Sequence, residues 1–579
     1  MNASIRRPVC RAIREHCEET SSQSEGAVSL FGCRQRPRPH LLVVFSLAWL
    51  VLCIYSIPRY ACAFEMPRGP LAAAVVLATL SWIALSSFLA CYHLASFAFS
   101  VVLRRNRPAI RSNSSPPVAI LYTCMNDVQE EAVRSCIEQD YADYTVFLLD
   151  DSTQPLERKR VDTLQRRYPE RLQVIRRARR GGFKAGNLNH ALSLIDRRFL
   201  YVAVVDADEL LPPEFLRETV EIAEADRTIG FVQAGHRLYA QTPFAKWIGD
   251  GVDLHWNYFL PARNRFGFVY FYGHGALLRR EALDAVGGFP TMVCEDLALA
   301  ARLRQAGYRG YYAHHIHCLE AAPPSYESFR RRNRRVARGT LQFLWQVAPD
   351  FLRSSRPTRV EKIDLLLSTS LVFLPIPFVC FLLFVGCLVP LLEGAVGLFD
   401  KGPSPVWGGV LHGLFNGHGS DWDIVLLGIF VVFAPLIYLL PSAVRAPART
   451  LSYLLSAGAI YLSASFDPLV SALDWVRSGK DEFVPTGDRS AASGRPNCVE
   501  LAVGLLLTVV AMVAGSYWLL AFSTSLIVVW VLVRYEIRSF LGSACLVVPV
   551  LITLLAICVT PETFFIAGGM LAGVAFAHH

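Results

Sequence analysis

Apolar and charged positions are segregated along this chain. Two long apolar stretches, about Leu41–Ile57 and Leu71–Leu103, stand near its start, with Pro58 and Pro67-Arg68-Gly69-Pro70 between them. Stretches of this length cross ~30 Å of hydrocarbon as helices. The arginine-rich residues 1–40 and Arg104-Arg105-Asn106-Arg107 place both ends of the hairpin on the cytoplasmic side. No small-residue cleavage site follows the first stretch, so it reads as an anchor and not as a removed leader. Residues 108–117, with three prolines and three serines, read as a linker.

The pattern changes at Val118. Short apolar runs at Val118–Tyr122, Tyr144–Leu149, Leu172–Ile175, Tyr201–Val205 and Gly230–Gln233 alternate with helical patterns such as Pro155–Tyr168 and Leu188–Ile195. This predicts an α/β domain with a largely parallel sheet. Ligands of such sheets bind beyond the carboxyl ends of the strands. After Lys362 the chain is apolar again, over Leu365–Leu392, Ile424–Leu440, Leu501–Val533, Leu541–Val559 and Thr563–Ala577. Leu501–Val533 is too long for one span, and Gly515-Ser516 can turn a helical hairpin within it. Leu451–Trp475 could lie in the interface, insert partly or span. Roughly eight membrane helices are expected, with residues 393–422 outside and 477–497 a polar cytoplasmic loop.

Composition sharpens this. Hydrophobic residues make up 53% of the 579 and charged residues 18%, too apolar for an ordinary soluble enzyme. The net charge of +9 comes from arginines flanking apolar spans, and no nucleic-acid motif accompanies it, so nucleic acid is excluded as a partner. The 15 cysteines are scattered without a CxxC pair, which suits a reducing cytoplasmic face better than a disulfide framework or a zinc motif.

Candidate chemistry sits at strand ends. Asp206-Ala207-Asp208 follows an apolar strand, and two carboxylates one residue apart there can hold a hard cation and, through it, phosphate oxygens. A strand-end turn capped by aspartates is the plain alternative. Glu209 beside it reads as solvated. Asp150-Asp151-Ser152 also ends a strand and can hydrogen-bond a uracil and a ribose, or simply form an Asx-turn. Cys294-Glu295-Asp296 opens an amphipathic helix after the Gly287-Gly288-Phe289-Pro290 turn, where Asp296 suits a general base; acidic residues in a first turn also serve as dipole partners. Arg330–Arg335 and Arg338 form a basic run in which Arg335, with Arg332 one turn earlier, could reach a diphosphate; a solvated, membrane-proximal face is the alternative. His314, His315 and His317 with Cys318 look like metal ligands, but alternation on a strand puts only His315 and His317 on one face, too few for a metal site to be expected.

Together and in this order these motifs resemble the processive family 2 glycosyltransferases, the cellulose, hyaluronan and chitin synthases and bacterial β-glucan synthases. The resemblance covers about Val118 to Gln342. Gly182-Phe183-Lys184-Ala185-Gly186-Asn187 resembles the family's KAGN segment, where the lysine approaches the donor phosphates. Val232-Gln233 and Tyr239 resemble the segment after the metal motif. Gly273-His274-Gly275 looks like the loop near the acceptor sugar, and Glu295-Asp296 matches the catalytic TED helix with Cys294 in place of Thr. Phe483-Val484-Pro485-Thr486 lies where such enzymes carry a gating loop. The family's QxxRW motif aligns with Arg332 to Val336: Arg335 is kept, Gln becomes Arg332, and the Trp that stacks on the acceptor becomes Val336.

The resemblance implies an α/β GT-A-type glycosyltransferase domain (118–345) inserted between N-terminal (41–103) and C-terminal (346–579) transmembrane segments, behind a cytoplasmic tail (1–40). It implies an inverting hexosyltransferase of the bacterial inner membrane that polymerises UDP-glucose into a β-glucan and exports it through its own channel. The implied catalytic residues are Asp296 and Glu295. Asp150, Asp151, Lys184, Asp206, Arg332 and Arg335 would hold the nucleotide sugar, and His274, Gly275 and Val336 the acceptor. Asp206 and Asp208 would hold Mg2+ or Mn2+, and Phe483 and Thr486 would gate. Its partners would be the UDP-sugar donor, the growing polysaccharide, the bilayer and periplasmic accessory subunits. Two further readings stay open: an enzyme that glycosylates a membrane lipid, and a transporter or inactive subunit.

Overall fold

The computed structural model describes residues 37–63, 69–103, 115–239, 254–388, 434–478, 498–514 and 516–534, with scattered positions at 242–248, 430 and 545–552. The apolar runs form the strands β1 (Val118–Cys124), β2 (Tyr144–Asp150), β3 (Leu172–Ile175) and β4 (Tyr201–Asp206), all parallel, with Val118 opposite both Tyr144 and Tyr201. Alternate residues serve opposite faces, as strand geometry requires. Ile120, Tyr122, Val146 and Leu148 pack on Val161, Leu164, Phe215 and Leu216; Leu121, Phe147 and Leu149 pack on Leu188, Leu192, Leu297 and Leu299. Burial of each large side chain contributes ~1.5–3 kcal/mol.

The other half of the sheet departs from a largely parallel arrangement. β5 (Glu209–Leu210), β6 (Ile229–Tyr239), β7 (Ala276–Arg279) and β8 (Arg309–Ala321) complete the order β3-β2-β1-β4-β7-β6-β8-β5. β7 runs antiparallel between β4 and β6, and β5 antiparallel to β8, so the sheet is mixed. β7 and β5 are too short, at four and two residues, to leave an alternation in the sequence. β8 carries a bulge: Ala234 faces Ala313, yet Gly235 faces His317. The bulge shifts the register against β6, while burial still alternates from His314 to Cys318 with His315 and His317 the less buried positions. His315 lies 3.4 Å from Glu218.

Helices α1 (His40–Ala63) and α2 (Gly69–Leu103) precede the sheet, and α3 (Glu130–Ile137), α4 (Pro155–Arg167), α5 (Phe183–Leu194) and α6 (Phe215–Ala225) connect its strands. α7 (Arg280–Ala285), α8 (Glu295–Ala306) and α9 (Tyr326–Gln346) follow, then α10 (Arg359–Ser370) and α11 (Pro375–Leu383). α12 (Pro447–Ser463), α13 (Asp467–Ser478), α14 (Cys498–Ala514) and α15 (Tyr517–Arg534) come last. His40–Pro58 and Pro70–Leu103 are long and apolar enough to cross a membrane, and the pair Arg359–Phe373 and Pro375–Leu388, bent by 47°, makes up to a third such span. α14 and α15 form an antiparallel pair in which a Cβ on Gly504 would meet Ile527 at 2.9 Å, so only a glycine permits the approach. Thr508 Oγ1 donates to Ser523 Oγ at 3.0 Å across the same seam. Phe483, Thr486, residues 393–422, Thr563–Ala577 and nearly all of Leu541–Val559 lie outside the described residues.

Helices α1 and α2, the C-terminal helix α12 and the α/β domain share one apolar core. Phe45 of α1 and Tyr92 of α2 pack with Trp256, Phe259 and Phe266, and Phe329 packs with Tyr461. Arg263 is fully buried in it. Its guanidinium donates to the Tyr92 hydroxyl and to Phe259 O at 2.6 Å, and lies 3.4 Å from Asp364 of α10. A buried cation persists only with such partners.

Candidate active site

β1, β2 and β4 are adjacent and parallel, so their carboxyl ends open on one side. Asp206 ends β4 opposite Thr123, whose hydroxyl donates to Asp206 Oδ1 at 3.1 Å. Lys184 is presented from the first turn of α5. The backbone reaches that turn through Gly182 at φ +68° and Phe183 at φ +53°. The Lys184 ammonium ion-pairs with Asp206 and donates to Gly273 O at 3.0 Å. Burial pushes the Asp206 carboxyl up, but Lys184 and His274 outweigh it and hold the group below the usual range. Asp208, half-buried, is pushed up to about 7 by burial, then by Glu320 and Asp206.

Gly273, at φ +85°, lies between Lys184 and α8. A Cβ there would stand 3.6 Å from Asp296 Oδ2 and 3.8 Å from Lys184 Nζ. The buried Gln233 fixes this loop from behind: its amide donates to His274 O at 2.9 Å and accepts from Tyr272 N at 2.9 Å. Asp296 Oδ1 accepts from Leu297 N at 2.7 Å and from the Cys294 thiol at 3.3 Å, which leaves Oδ2 as the oxygen facing Gly273. Burial, then Asp296, pushes the Glu295 carboxyl up to about 7 against the opposing pull of Lys184 and Arg335. Lys184, Asp206, Gly273, Glu295, Asp296 and Arg335 therefore form one constellation.

The basic run divides between two tasks. Arg330 is bonded to Asp467 of α13, with contacts of 2.7–3.1 Å, and Arg334 Nε donates to the same carboxylate at 2.8 Å. Arg338 reaches Asp474 at 3.8 Å. These arginines dock α9 on α13, whereas Arg335 is near enough to Glu295 for its charge to pull that carboxyl down. Arg332 is half-buried. A Cβ on Gly339 would stand 3.0 Å from Cys294 Cβ, so this glycine lets α9 close on the start of α8. Val336 is half-buried.

Asp150 and Asp151 stand at the end of β2 already engaged by arginines. Asp150 Oδ2 accepts from Arg176 at 2.7 Å, and Asp151 holds Arg177 through both oxygens at 2.8 and 2.6 Å. Arg177 also donates to Gly181 O at 2.6 Å and Phe183 O at 3.1 Å. In this arrangement Asp151 positions the turn that presents Lys184. The pairing joins residues 26 apart in the chain, which no local pattern signals.

Glu209 corrects the expectation of a solvated side chain. It is fully buried, with Oε1 2.8 Å from His236 and 3.3 Å from His274, and Oε2 accepting from Gly275 N at 3.0 Å. His274 sits with it: burial would lower its imidazole, but Glu209 and then Asp206 hold it up to about 10. Gly275, at φ +57°, has no room for a Cβ, which would overlap Glu209 and His236. Asp206, Asp208 and Glu320 are oxygen donors, the type a hard divalent cation takes, and Glu320 and Asp206 add to the burial that pushes Asp208 up, an addition that a cation would relieve.

Residues 201–440 match the family model described as glycosyl transferase family group 2. Over 143 residues, 24% of this chain, it is 32% identical to proteins described as putative cellulose synthases 2 and 3 of Komagataeibacter xylinus. Over 136 residues it is 31% identical to a UDP-forming cellulose synthase catalytic subunit of Komagataeibacter sucrofermentans. The chain spans 9% of the length of the first two and 18% of the third. Among solved structures, it is similar to a mannosyltransferase from Pyrobaculum calidifontis in complex with GDP-Man and Mn2+, at 20% identity and a TM-score of 0.45. That likeness covers 69% of this chain and all of the other. It is similar also to S. aureus TarS 1–349 in complex with UDP-GlcNAc, at 13% identity and a TM-score of 0.28, covering 63% of this chain and 92% of the other.

Proposed function

From the premise that this chain carries a family 2 glycosyltransferase domain of GT-A type, we propose that it polymerises hexosyl units from a UDP-sugar, UDP-glucose foremost, into a β-glucan. The observation that carries this is the convergence of Lys184, Asp206, Gly273 and the Glu295-Asp296 pair at the carboxyl edge of the sheet. Asp296 Oδ2 takes the proton of an acceptor hydroxyl whose oxygen attacks the anomeric carbon. The bond from that carbon to the diphosphate oxygen breaks, the configuration inverts, and UDP leaves. Lys184 and Arg335 oppose the negative charge gathering on the diphosphate. Asp206 and Asp208 would hold Mg2+ or Mn2+, which would supply further neutralisation. Arg332, Asp150 and Asp151 act around the nucleotide, and His274 and Gly275 shape the acceptor side.

The same proposal places the domain on the cytoplasmic face of a bacterial inner membrane, between the α1–α2 hairpin and the C-terminal helices. The product would cross through those helices, gated at Phe483 and Thr486 and met by periplasmic accessory subunits. A second reading, single or few transfers to a membrane lipid, is favoured by one observation: Val336 offers no aromatic face to a sugar. For a polymer, the same loss points to β-1,3 or mixed linkage.

Membranes incubated with radiolabelled UDP-sugars, followed by sizing and linkage analysis, test this. A long water-soluble glucan is expected. An organic-extractable product would select the lipid reading, and no transfer would overturn both.

A further inference from the structure

Beneath the catalytic carboxylates lies a second group of side chains of metal-ligating type, Glu209, His236 and Cys318, to which the transfer reaction gives no role. Three neighbouring strands bring it together. His236 of β6 is opposite Cys318 of β8, and on the far edge of β8 Glu209 of β5 is opposite Glu320. Glu209, His236 and Cys318 are all fully buried, and one donor atom from each lies within 4.8 Å of the others. His274 adds a fourth donor, its Nδ1 3.3 Å from Glu209 Oε1, with its ring 4.5 Å from that of His236. A tetrahedral zinc ion with bonds of 2.0–2.3 Å spaces its ligands by roughly 3.3–3.8 Å. The present spacings bracket that range: the 2.8 Å Glu209–His236 contact would open and the widest would close.

We propose that Glu209, His236, His274 and Cys318 form a buried structural site for a borderline-soft divalent cation of the Zn2+ class, distinct from the hard-cation site at Asp206 and Asp208. A thiolate, two imidazoles and a carboxylate suit Zn2+ and disfavour Mg2+. Charge agrees: with the thiol deprotonated and both imidazoles neutral, one thiolate and one carboxylate neutralise the dication. Binding releases the Cys318 proton and the imidazolium proton of His274, while the neutral imidazole of His236 keeps its proton on Nδ1 and ligates through Nε2. The cation would tie β5, β6 and β8 to the Gly273–Gly275 loop, fixing Asp208, which precedes Glu209, from below. Full burial of three ligands means that it would load during folding.

The test uses full-length protein purified in detergent without added transition metal. Elemental analysis should find about one zinc per chain, as a closed four-ligand site retains its ion. Cys318→Ser and His236→Gln should lose it, whereas Asp208→Asn should keep it. Protein produced in cobalt-supplemented, zinc-depleted medium should show a thiolate-to-cobalt charge-transfer band that Cys318→Ser lacks. Wild-type protein without bound zinc or the cobalt band would overturn the proposal, and so would zinc retained undiminished by both ligand variants. Because the wild-type measurements decide alone, misfolding of a variant does not rescue it. Since metal content is read without turnover, failure here and failure of the UDP-sugar reading are distinguishable.

Discussion

Asp296 and Glu295 are neighbours in sequence with different surroundings. Asp296 Oδ1 is anchored by Leu297 N, and Oδ2 is left facing Gly273. Asp296→Asn is therefore expected to lower turnover by at least ~100-fold, the scale of general-base removal. UDP affinity should stay near that of the wild type, with both read on the same preparation. Burial and then Asp296 push the Glu295 carboxyl up from its ordinary 4.5 to about 7. A carboxyl raised in this way holds a proton in the folded chain that the unfolded chain has already released. Stability due to Glu295 is thus full below the lower value and falls as pH climbs to the upper one. Glu295→Gln should flatten that part of the melting-temperature profile. An unchanged slope would assign it elsewhere, with Asp208, also raised to about 7, the first alternative.

At the scale of elements, α9 both completes the site and fastens it to the C-terminal helices. Arg335→Ala should weaken inhibition by UDP and turnover together, while Arg334→Ala should leave UDP inhibition unchanged. Asp467 is fully buried under Arg330, and removing one partner of such a pair costs ~3–5 kcal/mol. Asp467→Ala should accordingly melt well below wild type in detergent and expose α13 to protease. Strands β1, β2 and β4 were legible in the sequence because burial on both faces makes them continuous apolar runs. The acidic strand ends and the Lys184 segment could be read with them. β7 could not be read, being four residues held by neighbours on both sides. Nor could the division of labour among the arginines, since Asp467 lies 137 residues from Arg330. Glu209 looked solvated because its burial depends on His236 and His274, which arrive from other strands and loops.

For the whole molecule, the cluster around Trp256, Phe259 and Phe266 is shared with Phe45 of α1 and Tyr92 of α2. Residues 118–345 expressed alone should expose that apolar surface together with Arg263, now without Tyr92 and Asp364. This fragment is expected to aggregate without detergent, checked by sedimentation against the full-length protein in the same buffer. Monodisperse behaviour would show that the domain folds independently. Arg263 also ties the catalytic block to α2 and α10 at once. Asp364→Ala should destabilise by ~3–5 kcal/mol, and Arg263→Met with Asp364→Leu should recover much of it, because an apolar pair carries no desolvation penalty.

Gly339 sets a dimension within this assembly. The helix bearing Arg335 rests so closely on Cys294 that a methyl carbon on Gly339 would stand only 3.0 Å from Cys294 Cβ. The span between Arg335 and Asp296, proposed above as phosphate-facing and proton-accepting, is thereby gauged by a single missing substituent. Alanine at this position would act as a shim, prising the two halves of the catalytic apparatus apart by a few tenths of an ångström without altering any group that performs chemistry.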